Sequence, residues 1–269
     1  VPTHPFDDAI SLEPTESKGV LRGHTSPEWA NMVGPFGGVT AATLLRAVQL
    51  QPDRAGDPVA LTVNFTAPVL DGAFDVATQA VRTNRTNQHW QVALSQEGSI
   101  RTTATAVFGL RRDTWSDTER PRPSVPAPDD IPSTGLPATV VWAGNYDMRY
   151  VDGAIPAPDT GPARSSTTTL WVRDRQGRAV DFPALTALSD IFYPRVFLRR
   201  GVPSAAGTIS LTTYFHVDGD ELAAAAGDFV LCRATANRFS RGYFDQSAEI
   251  WSRSGDLLVT THQIVYFKD

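Results

Sequence analysis

One order of segments occurs twice in this chain, and that repetition limits its fold more than any other feature of the sequence. In the first half the turn Gly34-Pro35-Phe36-Gly37-Gly38 leads into an Ala- and Leu-rich helical run, residues 39–50, which stops before Pro52. Four runs of strand composition follow at hairpin spacing, residues 59–65, 74–81, 89–95 and 100–108, with Glu97-Gly98 at the last turn. In the second half two entry strands, 146–151 and 167–173, precede a helix over 183–197 and then strands at 209–215, 229–235, 243–251 and 257–267. Leu61-Thr62-Val63-Asn64-Phe65 matches Leu211-Thr212-Thr213-Tyr214-Phe215 at an offset of 150, and the Gly98 turn matches the Gly255 turn at an offset of 157. The pattern predicts two copies of one α+β unit, each an antiparallel sheet whose apolar face needs its helix as a cover.

The copies fall at residues 1–110 and 138–269, a comfortable size for two cores in a chain of 269 residues. Between them, residues 111–137 change character to acids, arginines and the run Pro121-Arg122-Pro123-Ser124-Val125-Pro126-Ala127-Pro128, which reads as a linker. Ahead of the first copy, residues 9–12 and 19–23 read as a short hairpin.

Lys and Arg total 24 against 29 acids, a formal net charge of -5, so no basic excess points to nucleic acid. No apolar run approaches the length of a membrane span, and residues 1–9 carry no apolar core of a signal peptide, so a cytoplasmic protein without a membrane partner is expected. The single cysteine, Cys232, excludes an intramolecular disulfide and a cysteine-ligated metal, and its place in an alternating strand makes it inert. The five histidines, His4, His24, His89, His216 and His262, show no ligand spacing, so neither metal nor cofactor is expected. Gly-x-Ser-x-Gly and His-Glu-x-x-His motifs are both lacking.

Asp190 is the side chain that packing does not explain. Asp181 can cap and Pro183 can open the second helix, whose Leu185, Leu188, Ile191 and Phe192 recur at helical spacing around this one acid. An ionised carboxylate on or beside a buried face is costly unless it is paired or used; a rim carboxylate looking into water is the alternative. The offsets set Asp190 against roughly Thr43, Gln263 against Ala106 and Thr208 against Pro58. Packing alone would give both copies similar residues, so polar groups confined to the second suggest chemistry there. In the first copy, Gly37 and Gly38 at a helix start allow close approach and leave N–H groups free to face an anion or a developing oxyanion, which makes them candidate substrate-binding residues.

Leu170-Trp171-Val172-Arg173 before the helix with Ser189-Asp190, the strand Thr208-Ile209-Ser210-Leu211-Thr212-Thr213-Tyr214-Phe215-His216, and Leu258-Val259-Thr260-Thr261-His262-Gln263 after the Gly255 turn together resemble the bacterial type II acyl-CoA thioesterases, the TesB-like double hotdogs. The resemblance covers nearly the whole chain except the linker. It implies a double hotdog, hydrolysis of an acyl-CoA thioester to free acid and CoA, and a homo-oligomer, whose sheet edges a partner chain could cover. It also implies a site in which an aspartate, a threonine and a glutamine hold the attacking water: Asp190, Thr208 or Thr212, and Gln263, which stands eight residues beyond the Gly255 turn. Thr208 follows from counting back from Tyr214-Phe215-His216, whereas Thr212 shares its strand face at even spacing. Ser210 stands where relatives often have an acid. The rival readings are a non-catalytic acyl-binding or scaffold protein that keeps the fold, and a hydratase, which would need an Asp/His pair that the sequence lacks.

Overall fold

The computed structural model describes residues 3–134, 140–157, 160–225 and 229–268. The first half runs α1 (Pro5–Ala9), β1 (Glu13–Pro14), β2 (Val20–His24), α2 (Gly37–Gln49), β3 (Asp57–Phe65), β4 (Ala73–Thr83), β5 (Asn87–Gln96) and β6 (Ser99–Gly109). The second runs β7 (Tyr146–Asp152), β8 (Thr168–Asp174), α3 (Phe182–Leu188), α4 (Arg195–Arg200), β9 (Ala206–Phe215), α5 (Gly219–Ala225), β10 (Val230–Thr235), β11 (Phe239–Ser240), β12 (Tyr243–Trp251) and β13 (Leu257–Phe267). Each half is an antiparallel sheet curled around its helix. The halves join edge to edge through β3 and β9 in the order β1-β2-β4-β5-β6-β3-β9-β13-β12-β10-β8-β7, with β11 beside β12. This is the expected double hotdog, its two sheets continuous with one another.

The join has near two-fold symmetry. Leu61 faces Thr213, Val63 faces Leu211, and Thr62 meets Thr212 at the centre, where their hydroxyls lie 3.1 Å apart. Bulges repeat too: Val59 is the extra residue where β3 pairs with β6, and Ile209 is the extra residue where β9 pairs with β13. Both sit at the offset of 150, which sets Thr208 against Pro58 in three dimensions as in sequence. Alternate residues of the inner face, among them Leu61, Val63, Ala104, Ala106, Leu211 and Val259, share one core with α2 and α3, while Val265 packs with Val196 of α4.

Two expectations need correction. The helix expected over 183–197 is two helices, α3 and α4, separated by a turn. Pro194 explains the break: its ring would clash with the carbonyl of Asp190 four residues earlier and it has no N–H to offer it, while Tyr193 before it is driven out of helical geometry. Asp190 therefore stands just past the end of α3. Residues 9–12 are not a strand, because Pro5–Ala9 forms a short helix with His4 as its cap; the strands that pair are Glu13–Pro14 and Val20–His24. The helix α5 was not foreseen. Asp181 does cap α3, accepting from the Ala184 N–H at 2.9 Å.

The Pro-rich segment forms no strand among its described residues, but it packs. Val125 and Ile131 cover Trp171, Phe229, Leu231 and Trp251 on the outer face of β8, β10 and β12, and the Pro126 carbonyl accepts from the Trp171 indole at 2.9 Å. The junction placed at 137 and 138 lies outside the described residues.

Candidate active site

Asp190 owes its position to the end of α3, where Ser189 closes the helix, its hydroxyl donating back to the Leu185 carbonyl at 2.9 Å. From β13, Gln263 reaches across the inner face. Its Nε2 donates to Asp190 Oδ1 at 2.9 Å and to the Ser189 carbonyl at 3.2 Å, so the amide can point only one way. Thr208 donates its hydroxyl to Gln263 Oε1 at 3.3 Å, completing a chain from strand β9 through strand β13 to the helix end. The structure thus brings Asp190, Gln263 and Thr208 together.

Thr212 is not among them. Even spacing would set 208 and 212 on one face, but the extra residue at Ile209 reverses the alternation between them. Thr208 pairs with Val265 and faces inward with Gln263 and Leu211, while Thr212 pairs with His262 and faces outward toward Thr62. One inserted residue decides which threonine belongs to the site.

The first half supplies the opposite wall. The start of α2 abuts Asp190 so closely that a Cβ on Gly37 would lie 2.6 Å from Asp190 Oδ2, and one on Gly38 would lie 2.4 Å from the Ala187 carbonyl. Glycine is required at both positions by contact, not by backbone conformation. The Gly38 N–H is turned toward the Asp190 carboxyl and favours its charged form. Gly37 borders the cleft with Asp190.

That cleft has a volume of about 400 Å³. It is lined by Asp190, Thr208 and Gly37 together with Asn31 to Val33, Phe65 to Val69 and Tyr266. Gln263 does not line it and stays buried behind the other two. Met32 and Val33 are about three-quarters exposed at the mouth, apolar side chains that packing leaves unused. Sequence reasoning missed these first-half loops. Their one signal was the exposed Met32-Val33 pair ahead of Gly34, which adopts φ 66° and lies too close to the Val69 carbonyl to carry a side chain.

Asp190 is half-buried as a residue, yet its carboxyl is enclosed on all sides but the cleft. Burial pushes its pKa from 3.8 up to about 7, against the opposing pull of the Gln263 amide and the Gly38 N–H, which favour the anion. A carboxylate that binds and releases a proton near neutrality suits general-base work. Cys232 is fully buried, and burial pushes its thiol up, away from the thiolate a nucleophile needs. Among the described residues no group of three His, Cys, Asp or Glu side chains is placed to hold a metal ion, and no helix is long and apolar enough to cross a membrane.

The family model for the acyl-CoA thioesterase C-terminal domain matches residues 120–267, and that for the N-terminal domain matches residues 25–109. Among solved structures, a hot dog fold protein of unknown function from Alicyclobacillus acidocaldarius is 44% identical, with 100% of this chain and 99% of that one covered and a TM-score of 0.94. An acyl-CoA thioesterase II from Mycobacterium marinum is 18% identical, with 98% of each chain covered and a TM-score of 0.77. The tesB protein of Mycobacterium avium subs paratuberculosis is 18% identical over 98% of each chain, with a TM-score of 0.78. At such identity the last two speak for the fold alone. No curated protein matches the chain significantly.

Proposed function

Since the chain belongs to the acyl-CoA thioesterase family of double hotdogs, we propose that it hydrolyses an acyl-CoA thioester to the free acid and CoA, with Asp190 as the general base. The observation that supports this most is the chain Thr208–Gln263–Asp190: two cleft-facing oxygens, tied through one buried amide, beside an acid poised to titrate near neutrality.

Water in the cleft would touch Asp190 and Thr208, the two members of the chain that line it. Gln263 then acts as a positioning residue, because its amide fixes both partners from behind and cannot reverse without turning its oxygen toward the Ser189 carbonyl and the carboxylate. Asp190 takes a proton as the water oxygen bonds to the thioester carbonyl carbon. The C–S bond then breaks, and the proton leaves with the thiolate sulfur as CoA-SH. The oxyanion formed in between needs a donor, a role we assign to the first-turn N–H of Gly37, at the positive end of α2 and on the cleft. The reading needs no covalent enzyme intermediate, because a thioester carbonyl is electrophilic enough for a positioned water. It also includes association of copies into a homo-oligomer.

The decisive measurement is thiol release from a series of straight-chain acyl-CoAs. Turnover of at least one member with one free thiol per acid formed is the expected result. Saturable binding without thiol release across the whole series would make the protein an acyl-thioester binder instead.

A further inference from the structure

The cleft at Asp190 has a smaller neighbour inside the first half. A cavity of about 20 Å³ is lined there by Trp29, Val39 of α2, Phe74 of β4 and Leu94 of β5, with His24 and Ser26 contributing polar groups. Three residues, Pro35, Thr40 and Val69, line both the cavity and the cleft. One layer of side chains therefore separates the cleft from the core of the first half, and Val69 is its buried aliphatic member.

The loop that carries Val69 is fixed on both sides of it. Before it, the Thr66 and Ala67 N–H groups donate to the Arg101 carbonyl at 3.1 and 3.0 Å. After it, the buried Gln96 amide accepts from the Leu70 N–H at 2.8 Å and donates to the Leu70 carbonyl at 2.8 Å. Gly34 packs against the Val69 carbonyl where no side chain would fit. Loops are ordinarily the variable and mobile parts of a fold, and this one is tied as firmly as a strand.

The two sides of the cleft offer a substrate different surroundings. Behind Asp190 and Thr208 the second half places Gln263 and its cross-strand neighbour Gln246, both buried amides. Behind Pro35, Thr40 and Val69 the first half is mainly apolar. A hydrocarbon chain turned toward the second half would have to break the hydrogen bonds of Gln263, whereas one turned toward the first half meets side chains of its own kind. Thr40 follows Gly37 by about one turn of α2, roughly 5 Å along the helix, so the path from the reacting carbonyl to Val69 is short.

We infer that the acyl chain of the substrate runs along the first turn of α2 into the first half, and that Val69 is the stop that sets its length. The inference rests on the thioesterase reading above and adds the acyl group to it: a short chain whose terminal methyl meets Val69. The second half then performs the chemistry and the first half selects the substrate. The cavity beyond Val69 lies in the line of the chain, and removing the two methyls of Val69 joins it to the cleft. At about 20 Å³ the cavity has room for one further group the size of a water molecule, the scale of one methyl.

The test is kcat/KM by thiol release over straight-chain acyl-CoAs from acetyl to palmitoyl, for wild type, Val69→Ala and Val69→Ile. A methylene admitted to an apolar pocket or refused by it is worth about 10- to 200-fold in kcat/KM. Wild type should show a sharp optimum at one short length. In Val69→Ala the ratio of the next longer homologue to that optimum should rise at least about tenfold, and in Val69→Ile the ratio of the optimum to the next shorter homologue should fall by as much. A loss of folded protein scales every member of the series equally, so it leaves these ratios unmoved, and a general disturbance of the site would not shift them in opposite directions. The same optimum in all three proteins overturns Val69 as the stop and leaves hydrolysis standing. If no member of the series releases thiol, the hydrolase reading fails by itself, and dissociation constants of the same acyl-CoAs by calorimetry decide the acyl path: opposite shifts in the two variants uphold it, and an unchanged order of affinities overturns it.

Discussion

The two halves share one backbone plan and differ in what they place on its inner face. Pairing the helices by their matching back-bonds sets Thr40 to the Phe36 carbonyl against Thr186 to the Phe182 carbonyl, and Thr43 to Val39 against Ser189 to Leu185, at an offset of 146. By that pairing the counterpart of Asp190 is Leu44, one residue beyond the Thr43 expected from sequence. On the strands Ala106 answers Gln263, Pro58 answers Thr208, and Trp90, which pairs with Ala106, answers Gln246, which pairs with Gln263. Val63 and Ala104 stand where the second half has Thr213 and Thr261. The first half spends these positions on packing, with Leu44 fully buried and α2 running unbroken for 13 residues. The second half gives up helix length and apolar contact for a carboxylate and its supports. Duplication let one copy keep the stability the other lost, and the intact copy still contributes a wall and the glycine approach.

Asp190→Asn tests this division at its strongest point. It keeps the size of the side chain and one acceptor but cannot take a proton, so turnover should fall on the order of 10²–10⁴-fold in a thiol-release assay. Hydrolysis at the wild-type rate would remove Asp190 from the chemistry. The pH response follows from the same group. In wild type kcat/KM should rise about tenfold per unit below a midpoint near 7, roughly 50-fold between pH 5 and 7, and then level off. Stability should move the other way. The folded carboxyl titrates near 7 and the unfolded one near 3.8, so between those values the folded state holds the extra proton, and stability drops as pH rises through the window. The drop is no more than about 4 kcal/mol and should be absent from Asp190→Asn when the two are compared by chemical denaturation at pH 4 and pH 8.

Gln263→Ala installs the residue of the first half. Asp190 and Thr208 would remain on the cleft but lose the amide that ties them, and a loss of about 10- to 100-fold in kcat with KM nearly unchanged is expected. A change in KM alone would show that Gln263 serves binding. Thr208→Val and Thr212→Val form a matched pair on one strand. The first should cost about three- to tenfold in kcat and the second less than twofold, and the reverse order would mean that the bulge at Ile209 does not set the face in solution.

The sequence reading reached the fold through its strands, because alternation, turn glycines and two constant offsets survive duplication. It singled out Asp190 as an acid in an apolar helical pattern, and Gln263 through the resemblance to the thioesterases, with the bland Ala106 at the matching place of the first half in support. It could not choose between Thr208 and Thr212, since a bulge adds a residue without changing composition and two-residue periodicity assumes that there is none. The helix break was legible in Pro194, yet the reading that began from the helical spacing of Leu185, Leu188, Ile191 and Phe192 ran past it to Phe197. The walls given by residues 31–33 and 65–69 were invisible for another reason: they are loops, whose contribution depends on how the halves meet and not on any local period.

The smallest effect separates site from packing on the inner face itself. Thr213 and Thr261 pair directly across β9 and β13, both fully buried, and neither hydroxyl has a hydrogen-bond partner; the Gln246 Nε2 beside Gln263 has none either. A buried hydroxyl without a partner costs about 1–3 kcal/mol of desolvation, which an apolar side chain of the same shape does not incur. Val63 and Ala104 in the first half show that the backbone accepts apolar residues at these places. Thr213→Val and Thr261→Val should therefore each stabilise the protein by about 1 kcal/mol, read as a shift of the denaturation midpoint, with hydrolysis unchanged within twofold. If either change lowers kcat as Thr208→Val does, the polar territory of the second half extends beyond the three residues around Asp190, and the contrast between the halves is a property of the whole face and not of one corner of it.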